Sequence, residues 1–272
     1  FGVEAYFVPS IAGWREDYDR VMQDKKAARA AKKAETKGTT VEDGGASKKA
    51  ARNILNRRRH LVLLAQNQTG LNNLFKLISL SYEPENFYRF PRLDYDLLAK
   101  HSEGVIAASA CLGGVYAGCF WENREEGPEA VLEAMRDVTR RMQEVFGDRW
   151  YGELQWNNIP EQHELNKYII QVCEEFGVEM ISTADSHYPN PDAWKDRELY
   201  KRLGWLGRGR PSWADNGELP VDVDEIGYEL YPKNGEQMWA SYKKYAAQAE
   251  TEYDDQLILD SITTTHRIAH ER

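Results

Sequence analysis

The chain has 272 residues, 42% of them hydrophobic and 29% charged, with a formal net charge of -9. That length can bury a sizeable core in one domain of about 200 to 250 residues, while no apolar stretch approaches the roughly 20 residues of a membrane helix and no secretory signal opens it. Cys111, Cys119 and Cys173 are odd in number and lack CxxC spacing, which argues against a disulfide framework or a structural zinc knuckle and fits a reducing cytoplasm. In chain order, the first element is "VEAYFV", an apolar run of strand length. The chain opens on Phe1 inside this run and without Met, as a fragment or processed chain begins, so sequence upstream is expected.

Residues 15–59 hold 14 Lys and Arg against 7 Asp and Glu, which leaves 21 basic against 37 acidic residues elsewhere. A basic arm thus sits on an acidic body. Its Ala/Lys/Arg-rich first half, the Gly/Thr/Asp stretch "TKGTTVEDGGAS" and the return "RNILNRRR" read as an insertion built of a helix, a flexible tip and a second helix. It is either a solvated surface excursion or an arm that grips phosphates; a run of like charge permits the second without proving it. The acidic total does not exclude nucleic acid, because local grooves and bound ions govern phosphate approach.

After the strand run "HLVLLA", "LNNLFKLISLSY" carries apolar residues at 71, 74, 75, 77, 78 and 80, the spacing of a helical face. "GVIAASA" reads as a strand, "GPEAVLEAMRDVTRRMQEVFG" as an amphipathic helix with Pro in its first turn and Gly at its stop, "WYGELQW" as a strand, "PEQHELNKYIIQVCEEFG" as a helix and "VEMISTA" as a strand. Strands alternate with helices from 60 to 187, which predicts a parallel β/α sheet or barrel, and no solenoid-period repeat is present.

In such folds reactive groups sit at the carboxyl ends of strands. Cys111 closes "VIAASA", Asp185 and His187 close "MISTA", and Glu4 lies in the first run. His60 opens its strand and joins them only if that strand starts near the same rim. Asp185 and His187, two apart on an extended segment, project from one face and suit a shared metal; the alternative is a strand-terminating turn, which Ser, Asn and Pro favour. The five supply mixed N, O and S donors suited to Zn²⁺ or Mn²⁺. His163 and His101 are expected in surface roles. "KRLGWLGRGRPSW" offers Lys201, Arg202, Arg208, Arg210, Trp205 and Trp213 as a basic and aromatic approach for single-stranded DNA, or else an ordinary loop anchored by its aromatics.

The ordered blocks "GVEAYFVP", "HLVLLAQNQTGLNNLFKLIS", "FPRLDYDLLAKHSEGVIAASACLGG", "YGELQWNNIPEQHELNKYIIQVCEEFGVEMISTADSHY" and "ELYPKNGEQMWASY" closely resemble the PHP domain (polymerase and histidinol phosphatase) that opens the bacterial replicative DNA polymerase III alpha subunit, cellular or phage. The resemblance covers nearly all the chain outside 15–59. It implies an α/β fold, a distorted β/α barrel of the PHP type that is N-terminally incomplete and carries the basic helical insertion. It places the PHP domain at residues 1–260 and the start of the connection to the polymerase palm at 261–272.

By the same resemblance, Glu4 matches a carboxylate bridging two metals, His60 and Cys111 match further ligands, and Asp185 and His187 match the last aspartate-x-histidine pair, in a cluster of up to three Zn or Mn ions. No catalytic residue beyond these ligands is implied, since such ions activate water and neutralise phosphate charge themselves. The family's histidine-x-histidine pair, aspartate and further histidine are not among the 272 residues, so this chain alone is expected to bind metal incompletely and to be inactive. The implied whole is a nucleotidyltransferase of DNA replication with a metal-dependent 3'-5' exonuclease. The alternatives are a non-catalytic scaffold that docks a proofreading subunit, and a free-standing PHP phosphoesterase. Implied partners are DNA, the palm and fingers of the same polymerase, and a sliding clamp or proofreading subunit, in the cytoplasm and with no membrane.

Overall fold

The computed structural model describes residues 1–34, 54–206 and 226–271. These fall into two compact units: the first holds 1–108, 113–115 and 140–149, the second 109–112, 116–139 and 150–272.

In the first unit, strands β1 (Gly2–Phe7), β2 (Arg59–Ala65) and β3 (Val105–Ala108) form an antiparallel ladder, with Glu4 opposite Val62, Tyr6 opposite His60 and Val62 opposite Ala108. Side chains alternate across such a ladder. Phe7, Leu61 and Leu63 therefore share one face, and all three are buried. Glu4, Tyr6, Val62 and His60 share the other. Helix α1 (Ile11–Ala34) follows β1, α2 (Gln68–Ser81) follows β2 and α3 (Tyr95–Lys100) precedes β3. Gly70, Asn73, Leu74, Leu77 and Ser81 are the buried face of α2, and burying each of the two leucines contributes about 1.5–3 kcal/mol.

In the second unit, β4 (Trp150–Gln155) and β5 (Met180–Thr183) pair in parallel, joined by helix α6 (Pro160–Phe176), which Pro160 starts and Gly177 stops in the left-handed region at φ 63. The same unit holds most of α4 (Val115–Asn123) and of α5 (Pro128–Phe146), with α7 (Trp194–Leu206), α8 (Gly235–Gln248) and α9 (Asp255–Glu271). Helix α9 packs on β5, where Ser182 and Ser261 hydroxyls meet at 2.7 Å. Trp156 anchors this core with its indole N–H on the Ser182 hydroxyl and its rings edge-on to Tyr242 and Tyr253.

The fold is mixed α/β, and the five strands expected from the sequence are present. Neither ladder closes on itself. The parallel arrangement holds for β4 and β5 but not for β2 and β3, because the excursion from 66 to 104 returns to the end it left: Gln66 N–H donates to Gly104 O at 2.9 Å and the Asn73 amide to Glu103 O at 2.8 Å. Gly70 makes that return possible, since a Cβ there would lie 1.8 Å from Gly104 O. The predicted apolar face of α2 is also narrower than expected, with Phe75 and Ile78 exposed.

Helix α1 begins at Ile11, not at residue 15, and its first turns are not a solvated excursion: Trp14 is buried and Val21 with it, and Ile11 N–H donates to Asp94 Oδ2. The tip of the basic arm, residues 35–53, lies outside the described residues. Helix α4 was not expected, because Val115, Tyr116, Ala117, Cys119 and Phe120 are buried all round and leave no periodic pattern. Among the described residues no helix is long and apolar enough to cross a membrane.

Candidate metal centre

Within the first unit, antiparallel pairing fixes which rim His60 occupies. Because β2 runs against β1 and β3, its start lies at the rim where those two strands end, and His60 sits there. Glu4 and His60 are diagonal neighbours on the non-core face. Their side chains meet, His60 Nδ1 lying 2.9 Å from Glu4 Oε1, with both partly exposed. Gly113 leaves room for the imidazole: a Cβ there would come within 3.2 Å of the ring, and its carbonyl accepts the His60 N–H at 2.8 Å. The "GG" that follows Cys111 and Leu112 therefore serves His60. Tyr6 and Arg58 line the same region, the guanidinium lying 4.7 Å from the Tyr6 ring centroid and 3.7 Å from that of Phe90.

In the second unit, Asp185 and His187 lie beyond the end of β5, with His187 Nδ1 3.9 Å from Asp185 Oδ1. They come together by a turn, not by the pleat of an extended strand. Asp185 has φ 47, a left-handed conformation that Asp tolerates better than most residues. His187 Nδ1 lies 2.5 Å from Asp185 O; a carbonyl can only accept, so Nδ1 is the donor here, the tautomer that leaves Nε2 as the metal-binding nitrogen of a neutral ring. The loop is fastened by Leu230, whose carbonyl accepts from His187 and Tyr188 N–H at 2.7 and 3.2 Å.

Cys111 is partly exposed, while Cys119 and Cys173 are buried and burial pushes the Cys173 thiol up to about 12. The Cys111 loop and the Asp185 loop share a neighbour that the sequence did not single out. Glu153 of β4, 5% exposed, accepts from Ala110 N–H at 3.1 Å and from the Thr183 hydroxyl at 2.5 Å. Burial foremost, and then the Asp185 charge, raise its carboxyl above the ordinary carboxylate range, against the lowering pull of its Thr183, Gln155 and Ala110 donors.

The donor types fit a divalent cation: carboxylate with imidazole in one unit, and carboxylate, imidazole and thiol in the other. The number in any one place does not complete a site. Among the described residues no three His, Cys, Asp or Glu side chains form a group able to hold a metal ion.

Two expectations fall elsewhere. His163 is not a surface residue. It is 2% exposed, its Nε2 donating to Asn157 O and its Nδ1 accepting from the Tyr253 hydroxyl, both at 2.8 Å. His101 is partly buried as the C-cap of α3. Burial holds His163 below its ordinary pKa, so the unfolded chain takes up a proton first and the stability His163 contributes is lost as pH falls through the ordinary histidine value. A His163→Gln variant is therefore expected to lose less melting temperature than wild type between about pH 7 and about pH 5. Of the residues expected to approach DNA, Lys201 and Arg202 are partly buried near the end of α7; the Trp205 side chain, Arg208, Arg210 and Trp213 lie outside the described residues.

The PHP domain family matches residues 1–157, more than half of the chain. The chain belongs to the PHP family. Within the PHP match lie Glu4, His60, Cys111 and Glu153; Asp185 and His187 lie beyond it. The chain is similar to proteins named DNA polymerase III subunit alpha. That of Aquifex aeolicus is 42% identical over 133 residues, 49% of this chain and 11% of the relative. Those of Borreliella burgdorferi and Thermus aquaticus are 36% and 34% identical over 179 and 181 residues, each 66% of this chain and 14% of the relative. This PHP chain thus spans 11–14% of the length of these relatives.

Proposed function

We propose that this chain is the PHP region of a replicative DNA polymerase and contributes Glu4, His60, Cys111, Asp185 and His187 to a divalent-metal centre that removes nucleotides from DNA 3' ends. The relatives' name supports the polymerase setting. The observation that carries the metal centre is the Glu4–His60 pair, a carboxylate and an imidazole 2.9 Å apart on the face of the ladder opposite the core. A bound Zn²⁺ or Mn²⁺ would supply Lewis-acid charge for phosphodiester hydrolysis. The residues' own part is to hold it: Glu4 and Asp185 by charge, His187 by an Nε2 whose tautomer Asp185 O fixes, His60 and Cys111 as softer donors. The remaining donors are proposed to be the histidine-x-histidine, aspartate and histidine motifs of the family. Residues 1–260 are proposed as the PHP domain and the end of α9 as the way out towards the palm, in a cytoplasmic protein whose partners are DNA, the palm and fingers, and a clamp or proofreading subunit.

A second reading, a scaffold that braces the polymerase without catalysis, is favoured by the lack of any three-donor group among the described residues. The two separate in a nuclease assay of the whole protein on mismatched 3' ends with Mn²⁺ or Zn²⁺. Loss of degradation in Asp185→Asn supports the exonuclease; equal degradation by variant and wild type leaves the scaffold. A free-standing phosphoesterase has less support, since the similar proteins named above are polymerase subunits.

A further inference from the structure

We propose that Glu153 is a positioning residue that holds the Cys111 loop and the Asp185 loop in a single arrangement, a role that rests on the metal-centre reading above. Only four of the described non-glycine residues have positive φ, and two of them are Ala110, immediately before Cys111, at φ 62, and Asp185 itself, at φ 47. Strained backbone of this kind persists only where its surroundings over-determine it. One carboxyl reaches both places. Its Oε2 accepts from Ala110 N–H at 3.1 Å, and its Oε1 accepts from Thr183 Oγ1 at 2.5 Å, two residues before Asp185.

The backbone doubles the first tie. Glu153 N–H donates to Ser109 Oγ at 2.9 Å, and Ser109 N–H donates to Tyr151 O at 3.1 Å. Gln155 doubles the second, its amide lying 3.3 Å from Glu153 Oε1 and 3.4 Å from Thr183 Oγ1. All six residues of β4 are buried, so the carboxyl is held in a rigid strand and transmits that rigidity to two loops. An apolar side chain would fill the same space but remove the carboxyl's own two ties, leaving only the backbone contact to Ser109 and the Gln155 contact to Thr183.

The test compares wild type, Glu153→Gln and Glu153→Met in the whole protein. Gln can accept from Ala110 N–H and, with the Gln155 amide turned to present its oxygen, donate to Thr183 Oγ1, so it keeps both ties; Met keeps the volume and neither tie. The first readout is the rate at which iodoacetamide alkylates Cys111 in metal-free protein, resolved by peptide mass from the buried Cys119 and Cys173 and taken well below the melting temperature. The second is the affinity for Zn²⁺. The expected result is a wild-type alkylation rate in Gln, a rate shifted roughly tenfold in Met from the loss of two hydrogen bonds, and Zn²⁺ affinity at least about tenfold weaker in Met alone.

Equal alkylation of Met and wild type, or equal Zn²⁺ affinity, overturns the proposal. Should Met not fold, Thr183→Val cuts only the second tie, and the same comparison then rests on weakened Zn²⁺ binding with Cys111 alkylation unchanged. If wild type itself neither binds Zn²⁺ nor has Cys111 protected by it, the metal reading fails, and the alkylation arm still decides whether Glu153 ties the Cys111 loop.

Discussion

Replacing Arg92 by Met is expected to lower folding stability by about 3 kcal/mol or more, at the large end of what one substitution does. The Arg92 side chain is fully buried and donates to four carbonyls, those of Leu55, Arg57, Tyr88 and Phe90, at 2.8 to 3.2 Å. Its guanidinium lies 3.9 Å from the Trp14 ring centroid. It thereby joins both limbs of the basic arm, the start of α1 and the return at 55–57, to the segment before α3. Burial, and then the nearby Arg58 charge, lower its pKa to about 10, which leaves it charged at neutral pH. Desolvating that charge is costly and offsets part of the gain. The asymmetry still favours a large loss, because each hydrogen bond to a charged group contributes about 1.5–3 kcal/mol and each orphaned carbonyl costs about 1–3 kcal/mol. Urea unfolding checks this: Arg92→Lys, which keeps the charge but not the fork, should fall between wild type and Met. A loss under about 1 kcal/mol in Met would mean that the arm is anchored by Trp14 packing alone.

On the exonuclease reading proposed above, Asp185→Asn is expected to reduce metal-dependent removal of mismatched 3' nucleotides by about a hundredfold, with any polymerisation by the whole protein as the unchanged control. Asn keeps the size of the side chain and accepts a positive φ as readily as Asp, so the turn at φ 47 survives while the charge is lost. The loss should therefore appear in cleavage and not in melting temperature. A parallel fall in both would assign Asp185 to the fold.

Much of this fold was legible because its elements announce themselves. Gly and Pro bound α5 and α6, and the strand runs "VEAYFV" and "HLVLLA" have the right length and composition. Strand direction was not legible, since alternation of strand and helix does not show that residues 66–104 double back on themselves through Gly70 and Gly104. Each candidate ligand was visible by residue type and place in a run. Their fixings were not: the left-handed turn at Asp185 and the His187 tautomer depend on backbone geometry that spacing does not report. Glu153 and Arg92 escaped for a common reason. A charged residue reads as solvent-facing, and only tertiary contacts reveal that it has partners far away in the chain, Leu55 and Arg57 for Arg92, Ala110 and Thr183 for Glu153. "GELQ" within a wholly buried β4 held the available signal, a carboxylate with no exposed face to occupy.

The most direct measurement is titration of Zn²⁺ and Mn²⁺ into the whole protein and into Glu4→Gln, His60→Ala, Cys111→Ser, Asp185→Asn and His187→Ala, each checked for an unchanged melting temperature in the absence of metal. One shared centre predicts that every variant binds at least about tenfold more weakly than wild type. Wild-type affinity in all five would contradict it.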